Sequence, residues 1–281
     1  MDPIYIVLIV LGAIILLTLI GVILFLYATK PGTRKCGMEK YQEVKFAHRG
    51  LHDGGRAENS ISAFRAAKEA GFGIELDVRL SKDGELVVFH DNTLNRVCGV
   101  DGKVIDYTAD ELSKMSLSGT ADGIPLFSDV LKLIDGSVPL LVEIKMEPGE
   151  KGIAAKLAEI IDGYHGDYIV ESFNPIALAE FAKLKPEIPR GILSMQYSKE
   201  ERFRGKLLYT LILENMLLNF LYRPDFIAYE KGGAKNSILR LIRKNFGTPL
   251  FAWTVKSADE EEKAISDGFD SVIFEGYIAE K

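Results

Sequence analysis

The 281-residue chain is poor in cysteine, histidine and tryptophan, with two, four and one of each. Two cysteines, Cys36 and Cys98, make no disulfide framework and agree with a reducing compartment. Positive charge is not in surplus either. Thirty-four Lys and Arg against 40 Asp and Glu give a net charge of −6, which speaks against sequence-independent binding to nucleic acid, because that rests on phosphate neutralisation. No nucleic-acid partner is expected. There is no internal repeat and no low-complexity tract. With 47% hydrophobic and 26% charged residues, the composition excludes disorder, collagen and coiled coil. The length suits one large domain or two small ones, with enough chain to bury a core without disulfides.

What the chain does have is one long apolar run. Ile4 to Ala28 carries no charged residue and, at 1.5 Å per residue, exceeds the ~30 Å hydrocarbon core of a bilayer. A secretory leader needs a basic start and a small-residue cleavage site, whereas Asp2 is the only charge before the run. The segment is therefore expected to be an uncleaved single-pass anchor. Lys30, Arg34, Lys35, Lys40 and Lys45 follow it, so the positive-inside rule puts the remainder in the cytoplasm. The expected organisation is an anchor over 1–28, a linker over 29–43 broken by Pro31, Gly32 and Gly37, and one domain over 44–281.

In that domain short apolar runs alternate with helical patterns. Strands are expected at Val44–His48, Ile74–Val78, Leu86–His90, Leu140–Ile144, Tyr168–Phe173, Gly191–Met195, Phe226–Tyr229, Leu250–Val255 and Ser271–Phe274. Helices are expected at Ser60–Ala70, Gly152–Asp162, Ile176–Leu184, Ser237–Phe246 and Asp259–Asp267. Such alternation predicts a parallel sheet, and its size fits a (β/α)8 TIM barrel. Nine strands for eight barrel places mean that at least one is misread or peripheral, and Arg79–Glu85 is too short to hold a crossover helix.

Polar residues close several of these strands: His48-Arg49-Gly50, His90-Asp91, Ser172-Phe173 and Trp253-Thr254. Glu75 and Asp77 share one strand face, as do Glu143 and Lys145. In a barrel, strand C-termini are where active sites form. Three carboxylates aimed into one barrel mouth are costly without a partner, and a divalent hard cation is the natural one. His52 and His165 lie in polar loops and are read as solvated.

Taken together, HRG (His48–Gly50), AENS (Ala57–Ser60), ELDV with SKDG and VVFHD (Glu75–Asp91), EIK (Glu143–Lys145), SF (Ser172–Phe173) and WTV (Trp253–Val255) resemble the glycerophosphodiester phosphodiesterase family. The likeness runs from about Lys45 to the end. It implies a TIM barrel that cleaves glycerophosphodiesters to glycerol 3-phosphate and an alcohol with one divalent metal, Mg²⁺ or Ca²⁺. It also implies His48 and His90 as the acid–base pair and Glu75, Asp77 and Glu143 as metal ligands. Arg49 and Lys145 would be phosphate contacts, and Glu58, Asn59 and Trp253 would line the site. The chain departs from the family pattern in Ala57, where proline is usual. It also has Glu275 where a Thr-Asp pair is usual, and it lacks a closing helix after the last strand.

A further departure is the apolar stretch Lys206–Arg223, interrupted by Glu214, Asn215 and Asn219. It reads either as a buried barrel helix or as an interfacial one beside Arg202, Arg204, Lys206 and Arg223. The interfacial reading would suit a lysophospholipid substrate and a second membrane contact. Two alternatives stand beside glycerophosphodiester hydrolysis: lysophospholipase D-like hydrolysis, and a catalytically silent membrane lipid-binding or scaffold protein. The complete His, carboxylate and Lys set argues against the silent protein.

Overall fold

The computed structural model describes residues 2–32 and 37–280, apart from the Arg202 side chain. Cys36 and two of the flanking cations, Arg34 and Lys35, lie outside the described residues.

Helix α1 (Pro3–Thr29) is 27 residues long, begins at an Asp2 cap and has a mean hydropathy of 3.3 over its most apolar window. At 1.5 Å per residue it measures about 40 Å, long and apolar enough to cross a membrane. Nine strands follow: β1 (Phe46–Ala47), β2 (Gly73–Leu80), β3 (Leu86–Val88), β4 (Leu140–Ile144), β5 (Tyr168–Ser172), β6 (Arg190–Ser194), β7 (Phe226–Glu230), β8 (Leu250–Val255) and β9 (Ser271–Phe274). Eight of them, all but β3, pair in parallel, and β1 bridges β9 and β2 to close a barrel. The fold is a (β/α)8 barrel. The ninth strand, β3, is the peripheral one. It runs antiparallel to the overhanging end of β2, with Val78 opposite Val88. The hairpin turn is tied by Ser81 Oγ, which donates to Asp83 and accepts from the Glu85 amide. The hairpin brings the chain back to the barrel mouth, where the Phe89 amide donates to the Asp77 carbonyl.

Helices cover the outside: α2 (Ile61–Ala70), then α3 (Asn95–Cys98), α4 (Ala109–Ser113) and α5 (Phe127–Ile134) within the β3–β4 excursion, α6 (Ile153–Ile161), α7 (Pro175–Leu184), α8 (Leu207–Glu214), α9 (Asn219–Tyr222), α10 (Ser237–Phe246) and α11 (Ala258–Ser266). Their ends follow local chemistry. Ser60, Asn174, Asn236 and Ser257 cap α2, α7, α10 and α11. Apolar side chains of the helices and of the outer strand faces form the main core. The barrel interior holds a second, smaller core of Phe46, Leu141, Ile169, Leu193, Phe226, Ala228, Phe251 and Ile273. Met38 and Tyr41 close its floor and are almost fully buried. Part of the segment read as linker is thus built into the barrel, and Tyr41 OH donates to the Tyr168 carbonyl.

The stretch Lys206–Arg223 is not one helix. It breaks at Met216, whose φ is +54°. Met216, Asn219 and Tyr222 are buried, whereas Leu207 and Leu208 are 71% and 73% exposed, and Tyr209, Leu211 and Leu221 are also open. The foot of α1 rests on this insertion. Asn219 Nδ2 donates to the Thr29 carbonyl at 3.0 Å, and Arg223 donates to the Lys30 carbonyl at 2.9 Å. The Arg223 guanidinium stands 4.8 Å from the centre of the Tyr27 ring.

Candidate active site

Above the apolar interior, the strand C-termini present acids. Asp77 pairs with Glu143, and Glu143 with Glu171, across β2, β4 and β5. Period-2 alternation turns all three inward, with Glu75 one step below Asp77. Ligand oxygens of Glu75, Asp77 and Glu143 lie within 4.8 Å of one another. Lys145 Nζ bridges Glu143 at 2.8 Å and Asp77 at 3.2 Å.

Burial dominates the charge states. It raises Glu75 well above the usual carboxylate range, helped by Asp77 and Glu143. It lifts Glu143 to about 7 against the pull of Lys145. Glu171, which sequence reasoning missed, is also raised by burial and by its acidic neighbours. For Asp77 burial works the same way, but Lys145, His90 and Arg49 outweigh it and hold the carboxyl well below its usual range. Four buried carboxylates against Arg49 and Lys145 leave a formal excess of two negative charges. Among the described residues, Glu171 Oε2 accepts no hydrogen bond and Asp77 Oδ1 has only the ion pair with Lys145. A carboxylate cluster of this kind fits a hard divalent cation.

His48 follows β1 and donates its amide to the Phe274 carbonyl. Its Nδ1 is 2.7 Å from Glu275 Oε2. The hydrogen bond from His48 holds Glu275 down at about 2, so the carboxylate accepts and Nδ1 carries the proton. Nε2 is left facing Glu75 at 4.0 Å. His90 repeats the arrangement, with Nδ1 2.6 Å from Asp91 Oδ1. Burial lowers both histidines, His90 to about 4. Arg79 clamps the His90 carbonyl with two donors.

Arg49 has a φ of +56° and donates its amide to Glu75 Oε2. Gly50 follows with φ +81°, so close to α2 that a Cβ would meet the Ala63 backbone at 2.9 Å. Glu58 and Asn59 stand behind the groups that face the cavity. Glu58 accepts from Arg49 and Arg96, while Asn59 Nδ2 donates to Asp77 Oδ2 at 2.8 Å. Trp253 packs edge-on against Phe173, with ring centres 5.4 Å apart. His48, Arg49, Glu75, Glu143, Lys145 and Trp253 line a small chamber of about 90 Å³. It shares His90, Glu143, Lys145 and Trp253 with an outer cavity of about 730 Å³, whose far wall includes Tyr197, Tyr209 and Leu213. His165 is exposed, but His52 is not simply solvated, since its Nε2 is buried with no hydrogen-bond partner among the described residues.

The mouth of this (β/α)8 barrel gathers buried carboxylates, two histidines, Arg49 and Lys145 around one chamber, groups suited to an anionic ester. The model of the glycerophosphoryl diester phosphodiesterase family matches residues 48–276, and the chain belongs to that family. It is 33% identical over 228 residues to a glycerophosphodiester phosphodiesterase of Caldanaerobacter subterraneus, covering 77% of this chain and 87% of the relative. The fold is similar to a glycerophosphodiester phosphodiesterase of Thermotoga maritima, with a TM-score of 0.64, 29% identity and 82% and 94% of the two chains covered. It is also similar to a phosphodiesterase of Oleispira antarctica in complex with the product sn-glycerol-3-phosphate, with a TM-score of 0.69, 23% identity and 84% and 94% covered.

Proposed function

We propose that the protein is a membrane-anchored enzyme that hydrolyses glycerophosphodiesters to glycerol 3-phosphate and an alcohol with one divalent metal ion, Mg²⁺ or Ca²⁺. The observation that carries this reading is the buried Glu75, Asp77 and Glu143 trio flanked by two histidines, each with a carboxylate on Nδ1. The trio would hold the metal, and zinc suits it less because it offers neither His nor Cys. Once bound, such an ion neutralises phosphate charge and polarises a phosphoryl oxygen.

The chain's own groups account for the rest. Arg49 and Lys145 face the chamber as donors for non-bridging oxygens, Arg in a planar fork and Lys as a point charge. Glu58 fixes the Arg49 fork and Asn59 fixes Asp77. Neutral Nε2 on one histidine takes a proton from the attacking hydroxyl, and the other histidine, protonated on both nitrogens when the anionic diester is bound, gives its Nε2 proton to the departing alkoxide. The pair serves direct attack by water and attack by the glycerol 2-hydroxyl equally.

A second reading, lysophospholipid hydrolysis, is favoured by α8. Tyr209 and Leu213 line the outer cavity, while Leu207, Leu208 and Leu211 of the same helix are exposed, and Asn219 and Arg223 further along the insertion hold the foot of α1. An acyl chain could pass from the bilayer along this helix, and each buried methylene is worth ~0.8 kcal/mol. With α1 in the bilayer, the cations that follow it in the sequence favour a cytoplasmic barrel.

The test is turnover of a panel of glycerophosphodiesters and lysophospholipids, with each metal and after chelation. Release of glycerol 3-phosphate only with Mg²⁺ or Ca²⁺ is expected. Full turnover with verified absence of metal would sink the metal assignment, and no turnover of any diester would sink the reading as a whole.

A further inference from the structure

Behind His48, on its Nδ1 side, lies a histidine that the reaction does not use. One donor atom each from His48, His52 and Glu275 fall within 4.8 Å of one another. His52 Nε2 is buried and has no hydrogen-bond partner among the described residues. The His48 and Glu275 side chains remain 17% and 25% exposed, so an ion can reach them. Two imidazoles and a carboxylate are a zinc donor set, unlike the all-carboxylate trio above β2 and β4.

We propose that His48, His52 and Glu275 form a second metal site, selective for Zn²⁺, whose occupation switches the enzyme off. His48 Nδ1 and Glu275 Oε2 are already 2.7 Å apart. Tetrahedral zinc with bonds of about 2.1 Å needs ligand separations of about 3.4 Å, so side-chain movement of about 1 Å completes the set. Lys256, 3.5 Å from Glu275 Oε1 and 60% exposed, is free to swing into solvent as the ion replaces it. When Nδ1 of His48 binds zinc, the single proton of the neutral ring moves to Nε2. That nitrogen then has no lone pair to accept a proton, and no other bond changes. The inhibition rests on His48 being the proton acceptor of the proposed histidine pair, whereas the binding does not.

The experiment uses the full chain in detergent micelles with excess Mg²⁺ to occupy the carboxylate trio. Bound zinc is measured by equilibrium dialysis and metal analysis, and turnover is titrated with Zn²⁺ in parallel. One zinc per chain and matching inhibition are expected. His52→Asn should keep its zinc-free turnover, lose the bound zinc and need more than about tenfold higher Zn²⁺ for inhibition, a loss at least as large as that of an outer-shell partner. If His52→Asn does not fold, Glu275→Gln must lose the zinc. Zinc retained by a folded His52→Asn or by Glu275→Gln, or bound only when Mg²⁺ is absent, would overturn the site. Zinc bound there with full turnover would overturn the switch.

Discussion

At the scale of residues, each histidine of the mouth is set by a carboxylate on Nδ1, so its chemistry is carried by Nε2. Replacing His48 or His90 by Ala should cut turnover of an unactivated diester by about 10²–10⁴-fold with the fold retained. Steady-state kinetics with circular dichroism checks this, and near wild-type turnover by either variant contradicts the assignment. Glu275→Gln keeps the shape but removes the charge that steadies a protonated His48, so kcat should fall while KM for the diester stays nearly constant. The motif residues were legible because they close strands in short signatures. Glu171 was not, because a single acid inside an apolar strand says nothing until the register sets it beside Glu143. His52 was misjudged for a similar reason. Its Gly- and Asp-containing loop looks solvated, but Gly50 presses that loop onto α2.

At the scale of elements, the strands were legible to within two residues at each end because most are short apolar runs set off by polar or turn-forming residues. The short β2–β3 connection told that one strand was peripheral, and the structure makes it the antiparallel β3. The β6–β7 insertion could not be resolved from its composition, because apolar residues at mixed spacings suit a buried or an interfacial helix equally. In the structure α8 exposes Leu207, Leu208 and Leu211. Replacing these three with Ser should therefore leave thermal stability nearly unchanged, since exposed leucines lose little on exchange. The same variant, without α1, should lose vesicle binding and shift the turnover ratio from lysophospholipid toward glycerophosphodiester. Unfolding would return α8 to the core, and unchanged vesicle binding would remove its membrane role.

At the scale of the whole molecule, the barrel mouth gathers four buried carboxyl groups, three of them pushed toward the protonated form by burial, around Arg49 and Lys145. Mg²⁺ or Ca²⁺ at about 100 times Kd should add about 2.7 kcal/mol to stability, a rise of several degrees in Tm. Glu75→Gln should abolish that rise, and a metal-independent Tm in the unaltered protein would argue against the cation site. The floor of the barrel has a different consequence, one that concerns how the enzyme can be detached from its anchor. Met38 and Tyr41 are 3% and 2% exposed, and burying such side chains contributes about 1.5–3 kcal/mol each. A fragment starting at Gly37 carries the whole plug and loses only contacts at the foot of α1, such as those of Thr29 and Lys30 with Asn219 and Arg223, so it should melt closer to the intact chain than a shorter one. One starting at Val44 should melt several degrees lower and expose apolar surface to a hydrophobic dye. Cleavage just ahead of Gly37 would thus leave the barrel with its base plugged, while cleavage a few residues later would leave the base open and the barrel prone to aggregation.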